Sequence, residues 1–294
     1  MKTNEEVLAR MKEDMQLRGM SEGTQREYLL RAKIFLTHCN RNIEDIDTQD
    51  IREYVTLLIK EKNLVASTIS VYRAAICFLF TVTLDRDLNY RKIPHTKKKR
   101  SIPEILTREE VSLIFKNELN LRNKAILMTA YSAGLRVSEI CKLKISDIDS
   151  VSMRILVKNG KGGKDRYTVL SQKTLDILRE YWRQYRSFVK KHVNDYLFVS
   201  KRRNANHISK NMVQYIFKAA VERAGIKKDV SIHSLRTCFA THLLESGMDI
   251  YRIKQLLGHS CIQSTTFYLR LLNFDDKIKS PLDDLDMGGD GAHG

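Results

Sequence analysis

Only three prolines occur in this 294-residue chain, and two of them, Pro94 and Pro103, stand close together. Proline locks φ, lacks a backbone N–H and disfavours helix at the residue before it. Long helices are therefore permitted on either side of this point and interrupted at it. The run from Arg91 to Arg100, RKIPHTKKKR, holds six basic residues and no acidic one. An extended, highly charged connector of this kind divides a chain into domains. It predicts an N-terminal domain at 1–92, a linker at 93–106 and a second domain at 107–282. The closing stretch 283–294, rich in glycine, is expected to be a disordered tail.

The charge of the linker belongs to a wider excess. Fifty-one Lys and Arg against 35 Asp and Glu give a formal net charge of +16. Such a surplus favours a polyanionic partner, nucleic acid or an anionic membrane face. No apolar run approaches the roughly 18 residues that span a bilayer, and Met1 is not followed by a signal-peptide pattern. Nucleic acid is the better expectation, with Lys97, Lys98, Lys99 and Arg100 lying along its phosphates. The five cysteines are odd in number and scattered, without a Cys-x-x-Cys pair. Reduced thiols are expected rather than disulfides, and no metal site is expected.

Periodicity gives the fold class, mainly α. Ser21 can cap a helix through Tyr28, Leu29, Ala32, Phe35 and Leu36. Thr48 starts another with Ile51, Val55 and Leu58 on one face, and Ser67 a third with Ile69, Tyr72, Ile76 and Phe80. Thr107-Arg108-Glu109-Glu110 is a capping-box pattern opening the second domain. Helix is expected to about Ala133 and again from Val137 to Lys142. Two strand-like runs, 153–157 and 166–170, flank the glycine-rich hairpin tip Asn159-Gly160-Lys161-Gly162-Gly163-Lys164, which predicts a small antiparallel sheet. Helices resume after it, with Gly225, Gly247 and Gly258 placed as C-cap glycines.

Breaking a DNA strand without a metal sets a chemical specification. Negative charge builds on the non-bridging phosphate oxygens, and arginines can hold those oxygens bidentately. A nucleophile must attack in line, and an acid must protonate the leaving 5′-oxygen. His233 and Arg236 are three apart at a helix start, so they project from one side. On the same helix Leu235, Phe239 and Leu243 project from another side, to pack inward. Individually these residues are commonplace, as are Arg136, His259 and Tyr268, one of 12 tyrosines.

Their order is not commonplace. Gly134-Leu135-Arg136-Val137-Ser138-Glu139, Gly160-Lys161-Gly162, His233-Ser234-Leu235-Arg236, Leu257-Gly258-His259 and then Tyr268 together resemble the tyrosine recombinase family, of the phage-integrase and mobile-element type. The stretch from Phe239 to Ser260 is similar to its chromosome-dimer-resolution (Xer-type) and integron-type members. Two positions depart from many relatives, Thr237 after the second arginine and Leu269-Arg270 after the tyrosine, which bears on subfamily. The resemblance implies an N-terminal SAM-like core-binding domain and a mainly helical catalytic domain with a small antiparallel sheet. It implies site-specific cutting and rejoining of DNA with no cofactor. Tyr268 would be the nucleophile, forming a 3′-phosphotyrosyl bond. Arg136 and Arg236 would clamp the phosphate, His233 would be the base, and His259 would donate a hydrogen bond. Lys161 would be the general acid, with Lys164 the alternative and a DNA contact, and Glu139 would orient the arginines. A homotetramer, or a tetramer with a paralogue, on two duplexes, exchanging a segment such as 271–282, is implied by the same resemblance. A catalytically silent DNA-binding protein on this fold would lack one of Arg136, His233, Arg236 and Tyr268, and all are present. A type IB topoisomerase-like enzyme would share the chemistry but relax plasmids that lack any specific site.

Overall fold

The computed structural model describes residues 3–89, 93, 104–158, 165–186, 195–200, 206–259 and 261–271. The chain divides into two compact units, Met1–Ser101 and Ile102–Gly294. Lys97, Lys98, Lys99 and Arg100, the hairpin tip 159–164 and the tail 283–294 lie outside the described residues.

The first unit is helical among its described residues. It contains α1 (Asn4–Leu17), α2 (Glu22–Cys39), α3 (Thr48–Lys60) and α4 (Ala66–Phe78), the last continuing as a π turn over Leu79–Thr83. Side chains set the starts. Thr3 and Glu6 form a capping box on α1, Ser21 caps α2, and Asp47 caps α3 by accepting from the N–H groups of Gln49 and Asp50. These bonds satisfy N–H donors that have no partner inside a helix. In α3, Ile51, Tyr54, Val55 and Leu58 are buried, one stripe at helical spacing. Phe35 of α2 meets Tyr54 and Phe80 edge-on, with ring centroids 5.1 and 6.2 Å away.

Two expectations need correction here. Helix α4 starts at Ala66, with Val65 as N-cap and no side-chain cap, so Ser67 does not open it. The run Ala66–Thr83 is also long and apolar enough to cross a membrane by length and composition alone. Its buried residues Ile69, Tyr72, Ala75, Ile76, Leu79, Phe80 and Thr83 pack in the domain core, the ordinary place for such a helix.

The second unit holds α5 (Arg108–Asn117), α6 (Leu121–Ser132), α7 (Val137–Lys142), β1 (Ile148–Asp149), β2 (Arg154–Val157), β3 (Arg166–Val169), α8 (Gln172–Tyr181), α9 (Lys210–Arg223), α10 (Ile232–Glu245), α11 (Ile250–Leu257) and α12 (Gln263–Thr266). A 3-10 turn, Phe267–Leu271, follows α12. The three strands form one antiparallel sheet in the order β1-β2-β3, with Ile155 opposite Thr168. The Thr107–Glu110 capping box is formed in both directions.

Helix α10 is the central element, packed against α6, α9, α11 and the Phe267–Leu271 turn. Every residue from Leu235 to His242 is buried. The expectation of one inward apolar face is therefore too narrow, because Arg236, Thr237, Thr241 and His242 also point into protein. Burying polar groups requires partners, and His242 has two. Its Nδ1 pairs with the Tyr131 hydroxyl at 2.9 Å and its Nε2 with the Leu106 carbonyl at 3.1 Å.

Thr107→Ala is expected to lower the stability of the second unit by about 1 kcal/mol, the usual value of an N-cap. Urea unfolding followed by fluorescence of Trp182, the single tryptophan, reads this directly; an unchanged midpoint would mean that the box contributes nothing.

Candidate active site

Five of the residues singled out in the sequence converge on one region of the second unit. Arg136 is the N-cap of α7, His233 and Arg236 lie on α10, His259 follows α11, and Tyr268 sits in the turn after α12. Glu139, one turn into α7, lies among the arginines. Lys161 and Lys164 lie outside the described residues.

The centre of the cluster is the Glu139 carboxylate, whose side chain is 7% exposed. It accepts from the Arg136 backbone N–H at 2.7 Å and from the Arg136 guanidinium at 2.8 Å. Arg166, the first residue of β3, donates to both carboxylate oxygens at 2.8 Å each, a bidentate pair. Arg236 Nη1 stands 3.8 Å away. Burial alone would raise the Glu139 pKa. Hydrogen bonds and charge from Arg166 and Arg136 outweigh that and hold it down at about 2.

Arg236 is the most buried of the arginines, its side chain 1% exposed. It donates to the carbonyls of Gly134 at 2.6 Å and Leu257 at 2.5 Å. The Leu256 carbonyl accepts from Arg166 Nε at 2.8 Å. Both of these last carbonyls belong to the end of α11, where they lack intrahelical partners and carry the negative end of the helix dipole. Two arginines thus complete one helix C-terminus. Burial, then the neighbouring Arg136, brings the Arg236 pKa down to about 10, still protonated at neutral pH.

Two glycines make these approaches possible. Gly134 has φ +58°, and a Cβ there would fall 2.4 Å from the Phe239 ring. Gly258 has φ +63°, and its Cβ would fall 2.6 Å from Arg166 Cδ. Both lie in the left-handed region that L side chains rarely adopt.

The αL turn at Gly258 sets the position of His259. Its Nδ1 pairs with the buried Thr265 hydroxyl at 2.9 Å, and its ring stacks near Tyr268 with centroids 6.1 Å apart at 19°. Burial, together with the charges of Arg236, Arg136 and Arg166, lowers the His259 pKa to about 4. His233 is shifted in the same direction by burial, Arg236 and Arg136. Both imidazoles are neutral at pH 7. Tyr268 is 5% exposed. Burial raises its pKa above the ordinary value, and the charges of Arg236 and Arg136 oppose that rise without cancelling it. The resting phenol is protonated.

Chemically, the region offers three guanidiniums against one carboxylate, two neutral imidazoles and a phenol. The surplus of positive charge suits an anion with several oxygens. Arg166 and Thr265 are the members missed in the sequence. Arg166 had a usable signal. Strand β3 alternates, with Tyr167 and Val169 exposed and Thr168 buried, so Arg166 shares the inward face. Thr265 carried no signal.

The charges predict an acid-labile unit, with the sign fixed by linkage. His259 has a folded pKa of about 4 against 6.5, so the unfolded chain takes up its proton first and stability falls as pH drops from about 6.5 to 4. Glu139 has a folded value of about 2 against 4.5, so its contribution is complete above about 4.5 and is lost toward pH 2. Glu139→Gln is expected to cost about 3 kcal/mol at neutral pH, as breaking a buried pair does, and to flatten the lower limb only. Urea midpoints measured from pH 8 to 3 for both proteins check this. Parallel curves would show that Glu139 is not the titrating group.

Comparison with known proteins gives the family and the fold. The chain matches the phage integrase family over residues 104–273 and the phage integrase N-terminal SAM-like domain over residues 7–90. A Sinorhizobium fredii protein named as an integrase/recombinase is 42% identical over 264 residues, covering 89% of this chain and 83% of the relative. The tyrosine recombinase XerA of Pyrococcus horikoshii is 33% identical over 269 residues, covering 91% and 90%. The structure of a lambda integrase tetramer bound to a Holliday junction has a TM-score of 0.71 at 21% identity, over 95% of this chain and 80% of that one, a likeness of fold. With both domains matched and relatives above 30% identity along most of its length, this chain belongs to the phage integrase family of tyrosine recombinases.

Proposed function

We propose that this recombinase acts on double-stranded DNA at a specific site, through a covalent bond between Tyr268 and a 3′-phosphate. The observation that carries the reading is the convergence of Tyr268 with Arg136, Arg236, His233 and His259 from four separate parts of the second unit. Arg136 and Arg236 hold the non-bridging oxygens of the scissile phosphate. The Tyr268 oxygen attacks phosphorus while its proton passes to the neutral imidazole of His233. The bond from phosphorus to the 5′-oxygen breaks, and that oxygen takes a proton from Lys161, or from Lys164 if the hairpin places it nearer. His259 Nδ1 is engaged by Thr265, which leaves Nε2 to donate to the phosphate. Rejoining is the same path reversed, with a 5′-hydroxyl of either duplex as nucleophile. The phosphotyrosyl bond conserves the energy of the broken linkage.

The N-terminal SAM-like unit and the basic segment Lys97–Arg100 serve as further DNA contacts, in keeping with the charge of +16. Four protomers acting on two duplexes, with exchange of a segment within 271–282, is the assembly we favour. The lambda integrase tetramer on a Holliday junction supports it by likeness of fold. A cytoplasmic location is in keeping with a DNA substrate.

The test uses labelled fragments of host DNA from around the gene, incubated with protein in the absence of divalent metal. Wild type is expected to form a denaturant-resistant protein–DNA adduct. Tyr268→Phe is expected to bind the same fragment and form none; an adduct from that variant would overturn the assignment. Lys161→Ala is expected to slow cleavage by roughly 100- to 10,000-fold, the range of general acid catalysis. A 5′-sulfur leaving group, which needs no proton, should recover most of the loss. Equal slowing on both substrates would transfer the acid role away from Lys161.

A further inference from the structure

Arg166 stands outside the residues assigned so far, yet it ties two parts of the site together. Its side chain is 8% exposed. All three of its nitrogens are committed, Nη1 and Nη2 to the two oxygens of Glu139 and Nε to the Leu256 carbonyl, each at 2.8 Å. These bonds use three of its five N–H donors and turn the guanidinium toward protein rather than solvent. Its partners lie on two different elements. Glu139 carries Arg136 through a second set of bonds, and Leu256 stands three residues before His259, with the αL turn at Gly258 between them. The fit at that turn is close, because a Cβ on Gly258 would meet Arg166 Cδ at 2.6 Å. In sequence, Arg166 follows Lys161 by five residues and Lys164 by two.

We infer that Arg166 is a positioning residue for DNA cleavage, fixing Arg136 through Glu139 and His259 through the end of α11 in one frame with the strand that leaves the Lys161 hairpin. A surface arginine making one ion pair would be replaceable by lysine. Here lysine keeps the charge but cannot span two carboxylate oxygens and a carbonyl in one plane. The charged groups facing Glu139 are Arg136 on its own helix, Arg166 from β3 and Arg236 from α10. Removing Arg166 takes away the guanidinium that, among the described residues, spans both carboxylate oxygens. The Glu139 carboxylate then draws on Arg136 and Arg236, the two groups that clamp the phosphate.

The inference rests on the covalent mechanism proposed above, and wild-type adduct formation is the control that separates the two. Single-turnover adduct formation and binding of the same fragment are measured for wild type, Arg166→Lys and Arg166→Ala, well below each protein's unfolding midpoint. Arg166→Ala is expected to keep its DNA affinity within a few-fold and lose roughly 100-fold in adduct rate, the effect of a small misplacement of catalytic groups. Arg166→Lys should fall between it and wild type. Millimolar guanidinium should restore much of the Arg166→Ala rate, and sodium at equal ionic strength should not. Adding Glu139→Gln to Arg166→Ala should cost little more, because the two act as one unit. If Arg166→Ala does not fold, Arg166→Lys carries the test through the same split between binding and adduct rate. Loss of affinity in parallel with rate, no selective rescue, or additive effects with Glu139→Gln would overturn the inference. No adduct from wild type itself would overturn the covalent reading instead.

Discussion

Everything in the second unit's site depends on one buried carboxylate that allows like charges to stand together. Arg136, Arg166 and Arg236 would repel one another in a medium with little water to screen them. Glu139 accepts from two of them directly and lies 3.8 Å from the third. Backbone carbonyls at Gly134, Leu256 and Leu257 accept further bonds from Arg166 and Arg236. The helix ends, the αL glycines and the strand that carries Arg166 follow from that demand. The carbonyls that face these two guanidiniums lie where the chain has run out of intrahelical partners or turned left-handed. The terminus of α11 and the turn at Gly134 provide these two situations.

Much of this was legible in the sequence, for identifiable reasons. Local chemistry marks its own boundaries. The Thr107–Glu110 box, the short helix Val137–Lys142 and the two long strands are fixed by neighbours a few residues away, and they appear within a residue of where the pattern puts them. Helix α4 breaks that rule at its start, because no side chain caps it and tertiary packing alone decides. Arg136, His233, Arg236, His259 and Tyr268 could be found by their order. Arg166 does not belong to that ordered set, and an arginine beside a hairpin in a chain this basic looks like one more phosphate contact. Its burial depends on Glu139, 27 residues away, and only the inward parity of β3 hinted at it. The all-round burial of α10 was hidden similarly, because Thr237, Thr241 and His242 look like a solvated face until the elements packed around the helix are known.

Protonation states at rest give the site its direction. Tyr268 is a protonated phenol, and His233 and His259 are neutral, because burial disfavours charge on each and the arginines further disfavour it on the histidines. The positive surplus therefore resides entirely on guanidiniums, which cannot give up a proton at any ordinary pH. An imidazolium in place of His233 could not accept the phenolic proton, so the charges that would grip a phosphate also keep the proposed base in working form. The same charges limit the phenol. Arg136 and Arg236 ease its ionisation, yet burial still holds it above the ordinary value. Free phenolate is thus scarce until a substrate arrives. An arriving phosphodiester would partly neutralise the two arginines and make early ionisation harder still. On this mechanism the proton must leave as the bond to phosphorus forms, which favours attack on a docked phosphate over release of a reactive phenolate in the empty site.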